Sequence, residues 1–321
     1  MEDIYLLNQD CISCLLHPKI HFIISTCSKI LSKLIYTISR IEFSCRRKEL
    51  FLSLHKFRKL THLHILNCVA HSHNQNCSIF SYFHQYVQNY FSKFNCHPSL
   101  KSLRLDAMFT NIPSLLNLEK LNALSCIIKL KEINKFERLT YLKFFVSEEN
   151  VLNELMCLSN LKVLHVEGEE YVNEELFIAN HEMHTKFTNL HKLIIKMNYQ
   201  EYSNVKNISI DFPNLTSLHM DMNKHGYATL SVLFKCTKLI QLSIEGVITE
   251  DLSDYLKTTS CLTKLHLKNC YNSPYDLNLS INYTPRLKYL HLINFEEVTL
   301  DRLPLKTNLL ENVQNCKMYN E

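Results

Sequence analysis

The chain has almost no glycine. Its three glycines in 321 residues, Gly168, Gly226 and Gly246, stand too far apart to form a glycine-rich phosphate cradle, which excludes dinucleotide-binding and P-loop chemistry. Only 7 prolines accompany them, so architectures that need glycine in every tight turn, such as most sandwiches and propeller blades, are disfavoured. Long apolar runs are missing too. The most apolar stretch, Ile20 to Ile38, is interrupted by His21, Lys29, Lys33 and several hydroxyls, so no membrane helix is expected. Met1 to Tyr5 carries Glu2 and Asp3 and no basic region leading into an apolar run, so no secretory signal is expected and the chain reads as cytoplasmic or nuclear. Charge of one sign is scarce: 35 basic against 31 acidic side chains leave +4, with lysines scattered instead of clustered, and no nucleic-acid partner is expected.

What is present is the composition of a folded protein, 46% hydrophobic and 21% charged. The 13 cysteines, in a reducing compartment, behave as small core hydrophobes and not as a disulfide framework.

The dominant signal is an internal repeat. The pattern LxxLxL recurs as LTHLHI at Leu60, LKSLRL at Leu100, LTYLKF at Leu139, LKVLHV at Leu161, LHKLII at Leu190, LTSLHM at Leu215, LIQLSI at Leu239, LTKLHL at Leu262 and LKYLHL at Leu287, with a weaker copy, LNALSC, at Leu121. From Leu190 onward the spacings are 25, 24, 23 and 25 residues, which fits one supersecondary unit per repeat. Alternation within the motif is that of a strand with one buried face. EDLSDYLKTTS places Leu252, Tyr255 and Leu256 at helical spacing, as a helix between strands requires. Phe136, Phe187 and Phe212 re-enter the core just before the next strand.

These motifs resemble the leucine-rich-repeat superfamily over residues 38 to 316. The resemblance implies an α/β solenoid, a horseshoe with a parallel concave sheet and convex helices, of about 11 to 12 units over 38–321 with a long insertion at 69–98. GVITEDLSDYLKTTSCLTKLHLKNC, Gly246 to Cys270, looks like the cysteine-containing subtype, and LTHLHILNC shares its terminal cysteine at Cys68. In the insertion His71, His73, Cys77, His84, Cys96 and His97 match no metal-ligand spacing. Its Phe80, Phe83, Tyr86, Val87, Tyr90, Phe91 and Phe94 follow helical spacing instead. No metal and no cofactor are expected.

Residues 1–37 do not fit the repeat. Leu6 to Leu16 and Ile20 to Tyr36 read as amphipathic helices separated by Pro18, and as a helical cap they would shield the first repeat. The same segment resembles an F-box: Leu7, Asp10, Ile12, Leu15 and Leu16 match its opening, and Cys27, Lys29, Leu31, Leu34 and Ile35 its close. Asn8 stands where that motif has proline, its usual tryptophan is lacking, and the middle is several residues short. The resemblance implies docking of a Skp-type adaptor through Leu7, Asp10, Ile12, Leu16 and Leu31. Both readings, cap and F-box, stay open from sequence.

Burial of the first, fourth and sixth motif positions would turn the third, fifth and seventh toward a partner. The fifth-position column reads His64, Arg104, Ser125, Lys143, His165, Ile194, His219, Ser243, His266 and His291. With Tyr141, Lys192, Lys264 and Tyr289 beside them, these side chains are expected to hold an acidic or phosphorylated protein surface. Acidification from pH 7.5 to 6 should then strengthen binding as the histidines charge. No HExxH, GxSxG or paired carboxylates appear, so no catalysis is expected. The expected function is a monomeric, non-catalytic interaction module, the substrate-recognition subunit of a cullin-RING ubiquitin ligase with a Skp-type adaptor and a target protein as partners. The alternative is a free-standing leucine-rich-repeat scaffold or inhibitor.

Overall fold

In the computed structural model the described residues are 39–44, 59–66, 99–105, 117–123, 136–146, 155, 158–168, 187–197, 212–221, 227–228, 236–248, 252–269, 276–279, 284–300 and 307–318. The chain divides into two compact units, residues 1–144 and 145–321. The cap or F-box segment 1–37, the insertion 69–98, and Cys68 and Cys270 lie outside the described residues.

In the first unit, β1 (Arg40–Ser44), β2 (His62–Leu66), β3 (Ser102–Leu105), β4 (Lys120–Ala123) and β5 (Tyr141–Val146) pair in sequence order, each parallel to the next. The register keeps equivalent motif positions side by side: Leu63 opposite Leu103, Leu103 opposite Leu121, Leu121 opposite Leu142. That last pairing corrects the sequence reading. Leu121 is the fourth residue of its motif and not the first, so the rung is LEKLNA from Leu118, and Asn122 takes the fifth position expected for Ser125.

In the second unit, β6 (Val163–Gly168), β7 (Lys192–Met197), β8 (Ser217–Asp221), β10 (Gln241–Glu245), β12 (Lys264–Lys268) and β14 (Tyr289–Leu300) pair in parallel, again in register. Strand-to-strand parallel pairing needs a return path. One such path holds a helix, α1 (Leu252–Thr258), whose Leu252, Tyr255 and Leu256 are buried as their spacing predicts. Further segments return as strands. β9 (Tyr227–Ala228) pairs with β11 (Val247–Ile248), and β13 (Asp276–Leu279) pairs with the second half of β14. Convex helices expected elsewhere fall on residues outside those described.

The first, fourth and sixth motif positions form the core. In the rungs that start at Leu100, Leu139, Leu161, Leu190, Leu215, Leu239, Leu262 and Leu287, every one of these side chains is at most 4% exposed. Phe136, Phe187 and Phe212 are buried as expected, and the rings of Phe187 and Phe212 stand 5.8 Å apart. Each of these three also accepts, on its carbonyl, the N–H of the leucine three residues on, which closes the turn that feeds the strand. Cys236 and Thr284 play the same part in their rungs.

A threonine in the second motif position adds a side-chain bond across rungs. Thr61, Thr140, Thr216 and Thr263 donate from Oγ1 to the carbonyls of Ser39, Glu119, His191 and Ile240, which already accept two backbone N–H groups from the same rung.

Three rungs of the second unit turn through a left-handed corner at the eighth motif position. Gly246, Asn269 and Asn294 have φ of 121°, 53° and 61°, conformations that glycine enters freely and asparagine more readily than other residues. The two asparagines are linked, Asn294 Nδ2 donating to Asn269 Oδ1 at 2.7 Å, and Asn269 Nδ2 reaches Glu245 Oε1 at 3.4 Å. The corner shapes the end of the unit. β15 (Thr307–Met318) runs parallel to β14 with Tyr289 opposite Thr307, yet only residues 301–306 connect them. Seven Cα steps reach at most ~27 Å, while a straight 12-residue strand is ~36 Å long, so β14 must fold back at Asn294. The coil thus closes in 18 residues (307 − 289).

Candidate interaction face

Four of the expected partner-facing residues stand in the first unit. His64 and Arg104 are adjacent on β2 and β3, and Lys143 follows on β5 with Asn122 between it and Arg104. Tyr141 lies opposite Lys120. Arg104 and Lys120 are exposed, while His64, Asn122, Tyr141 and Lys143 are half-buried. Exposed Lys101 is held by Glu119 at 3.0 Å. His62, third in its motif and the first residue of β2, has its pKa pushed down, first by burial and then by Arg40 and Lys120.

The other seven lie in the second unit. Lys192, Lys264 and Tyr289 are exposed, and His219, His266 and His291 are half-buried. His165 differs. It is buried at 7% exposure, with Nε2 2.9 Å from Glu167 Oε1 and Ile194 opposite it in register, so its ring packs into the sheet surface instead of presenting itself. Lys264 Nζ stands 5.4 Å from the centre of the Tyr289 ring, a cation over an aromatic face. Lys268 pairs with Glu245 at 2.6 Å. The seventh-position column, Glu167, Lys196, Asp221, Glu245 and Lys268, mixes both signs.

Histidines on neighbouring rungs do meet. His266 and His291 are opposite in register, their Nδ1 atoms 2.9 Å apart and their rings edge to face at 4.5 Å. One Nδ1 must donate and the other accept, so one of the two rings carries no proton at that atom. His219 Nδ1 bonds Ser243 Oγ at 2.8 Å. Burial is the main force lowering the pKa of both His219 and His266; His291 and His219 lower that of His266 further, against the pull of Glu245. The charging expected between pH 7.5 and 6 therefore shifts to more acidic conditions for these two, because desolvation penalises the imidazolium.

The sign for stability follows from proton counts. Below about 6.5, the ordinary histidine value, the unfolded chain takes up protons that folded His266 and His219 do not, so the folded state loses ground as pH falls. Thermal melts from pH 7 to pH 5 should show a falling Tm, and His266→Gln should flatten that fall. An equally steep fall in the variant would remove His266 from the account.

Among the described residues no cluster of three or more His, Cys, Asp or Glu could hold a metal ion, and no helix is long and apolar enough to cross a membrane. Cys236 and Cys261 form no disulfide, and the first is buried. The adaptor-docking residues Leu7, Asp10, Ile12, Leu16 and Leu31 lie outside the described residues. Sequence reasoning missed Asn122 and Lys120 on this face and the asparagine corner at its edge. For the corner a signal existed, since Asn67 and Asn269 each directly precede the terminal cysteine that drew attention.

No protein-family model and no curated protein matches the sequence. Solved structures with a similar course of chain include an internalin, InlF, from Listeria monocytogenes, at 15% identity over 90% of this chain and 89% of that one, with a TM-score of 0.41. The functional domain of InlJ from the same organism is 13% identical over 84% and 70% of the two chains, TM-score 0.38. A leucine-rich-repeat protein of Leptospira interrogans is 12% identical over 90% and 86%, TM-score 0.38. At these scores the likeness carries no argument about activity or partners. The repeat assignment rests on the motif and its register: in each unit the LxxLxL segments form parallel strands paired in register, as in a leucine-rich β-solenoid.

Proposed function

We propose that this protein is a non-catalytic interaction module that holds a target protein on its strand face, as the substrate-recognition subunit of a cullin-RING ubiquitin ligase. The observation that carries the binding role is the register. It lines up polar, basic and aromatic side chains of successive rungs, Arg104 with Asn122 and Lys143, and Lys264 with Tyr289, on the face opposite the leucine core. Such a surface is broad and chemically mixed, as recognition of a macromolecule requires and a small-molecule pocket does not. The ligase role is supported by the resemblance of residues 1–37 to an F-box.

Co-purification tests it. A Skp-type adaptor is expected to come down with the full chain and to be lost when residues 1–37 are deleted. Absence of the adaptor from both samples would overturn the ligase role and leave the free-standing scaffold, with the same face and a purely structural cap.

A further inference from the structure

Lysines that are dispersed in the sequence come together where the strands of the second unit begin. Lys162, Lys192, Lys238, Lys264, Arg286 and Lys288 stand just before their motif or at its second or third position, and all are exposed. Backbone bonds set the second positions side by side: the N–H groups of His191, Thr216, Ile240, Thr263 and Lys288 donate to the carbonyls of Lys162, His191, Thr216, Ile240 and Thr263 in turn. Register does the same for the third positions, Lys192, Ser217, Gln241, Lys264 and Tyr289. No described acid occupies this rim, and none of the cations pairs with a described acid. Their contacts leave the charge in place: Lys238 Nζ donates to Asn214 Oδ1 at 2.7 Å, and Lys264 lies over Tyr289. Equivalent positions of the first unit hold Glu119 and Glu137. The acids of the second unit's face, Glu167, Asp221 and Glu245, stand at the seventh position. That is four residues past the third position, ~13 Å at the backbone, and beyond the Debye length of ~8 Å at physiological ionic strength. They do not cancel the potential of the rim.

Apolar surface lies in the same place. Among the described residues the large apolar side chains left exposed are Ile240 and Tyr289, at 39% and 40%, both on this rim and two rungs apart. The fitting ligand carries negative charge along a line and a large apolar group within it. An extended acidic peptide has both. The rim runs ~24 Å from the rung of β6 to that of β14, the length of about seven extended residues. Single-stranded nucleic acid has the charge, but its bases bind by stacking on aromatic faces. Here the Tyr289 ring already has Lys264 over it, and Ile240 offers no ring. We propose that the strand-start rim from β6 to β14 binds an extended acidic segment of the target, its carboxylates on the rim cations and one large apolar side chain on Ile240 and Tyr289. This rests on the reading that the strand face holds a target protein, and it places the charged part of that contact.

Fluorescence anisotropy with the full chain tests it. The probes are a labelled 12-residue peptide of alternating glutamate and serine with one central serine replaced by leucine, the same peptide without leucine, its glutamine counterpart, and a 12-nucleotide oligothymidylate. The leucine-bearing glutamate peptide is expected to bind, and the glutamine peptide and the oligothymidylate to bind about tenfold more weakly or less. Lys192→Glu and Lys288→Glu should each weaken binding about tenfold. Both side chains are exposed and outside the core, and circular dichroism confirms the fold. Ile240→Ser should weaken the leucine-bearing peptide several-fold and leave the leucine-free peptide unchanged, because it removes an apolar contact and no charge. Lys101→Gln in the first unit should change nothing.

Oligothymidylate binding as tightly as the peptide would overturn the peptide assignment in favour of nucleic acid. Equal effects of Ile240→Ser on the two glutamate peptides would remove the apolar contact and overturn the proposal as stated. A loss on Lys101→Gln as large as that on Lys192→Glu would mean unspecific attraction and overturn the placing on this rim. Failure of the peptide to bind at all removes this proposal, while adaptor co-purification still decides the ligase role separately.

Discussion

Leu218→Ala is expected to lower the free energy of unfolding by about 2–5 kcal/mol, the range for emptying a buried leucine site. Leu218 is 1% exposed and fourth in its motif, opposite Leu193 on one side and Leu242 on the other. The hole therefore opens between two rungs and not at an end. Each rung of a solenoid is stabilised by its neighbours, so weakening both contacts of β8 lowers the coupling along the second unit as well as its local packing. Urea denaturation followed by circular dichroism measures the change. Ser217→Ala, one residue earlier on the half-buried face, should stay within about 0.5 kcal/mol of the parent. Equal effects of the two substitutions would mean that the first, fourth and sixth positions are not the core.

The second expected effect separates backbone strain from hydrogen bonding at a single corner. Asn269 is 5% exposed with φ of 53°. Its side chain accepts from Asn294 at 2.7 Å and reaches Glu245 at 3.4 Å, and its backbone N–H donates to the carbonyl of Ile293. Asn269→Ala places a Cβ-bearing residue without a compensating side chain in the left-handed region, at about 1–2 kcal/mol. It also strands the Asn294 amide, which adds about 1 kcal/mol or more. Asn269→Gly keeps the conformation without strain and loses only the side-chain bonds. The alanine variant should therefore be the less stable of the two by about 1 kcal/mol, the sign opposite to the usual ranking of alanine over glycine. If glycine is the worse substitution, the corner is not held by its φ.

Much of this architecture was legible beforehand, for a definite reason. A leucine in the first or fourth motif position has one environment compatible with it, the dry interior, and a period near two dozen residues lets only one arrangement bury all of them together. Hence Leu139, Leu142 and Phe144, or Leu262, Leu265 and Leu267, could be assigned to the core, and their neighbours to the outer face, from sequence alone. The turn phenylalanines and the helix at Leu252 to Thr258 followed from the same apolar spacing.

The face that would meet a partner was less legible. His165 has the same sequence position as His64 and His266, yet it is buried while they are half-exposed, because Ile194 and Glu167 beside it differ from what stands beside the others. Exposure of a strand residue is decided by the side chains on adjacent rungs, which lie two dozen positions away in the chain. Likewise the low pKa of His266 comes from burial and from His291, 25 residues on.

The clearest division lies at β4. In LNLEKLNALSC both Leu118 and Leu121 open an LxxL pattern; the distances to Leu100 and Leu139 are 18 and 21 for one, 21 and 18 for the other. Spacing is symmetric between the two frames, and each has a leucine three residues earlier, so local pattern had nothing further to offer. Pairing with β3 and β5 selected Leu118, since only that frame puts Leu121 between Leu103 and Leu142 and Ala123 opposite Phe144. The sequence by itself determined that a ladder of leucine rungs exists and which residues fill its core, because burial of apolar side chains is read off their period. Tertiary structure alone decided the frame of that rung, and with it the placing of Asn122 between two cations, because hydrogen-bond register between strands is a property of the pair and not of either strand.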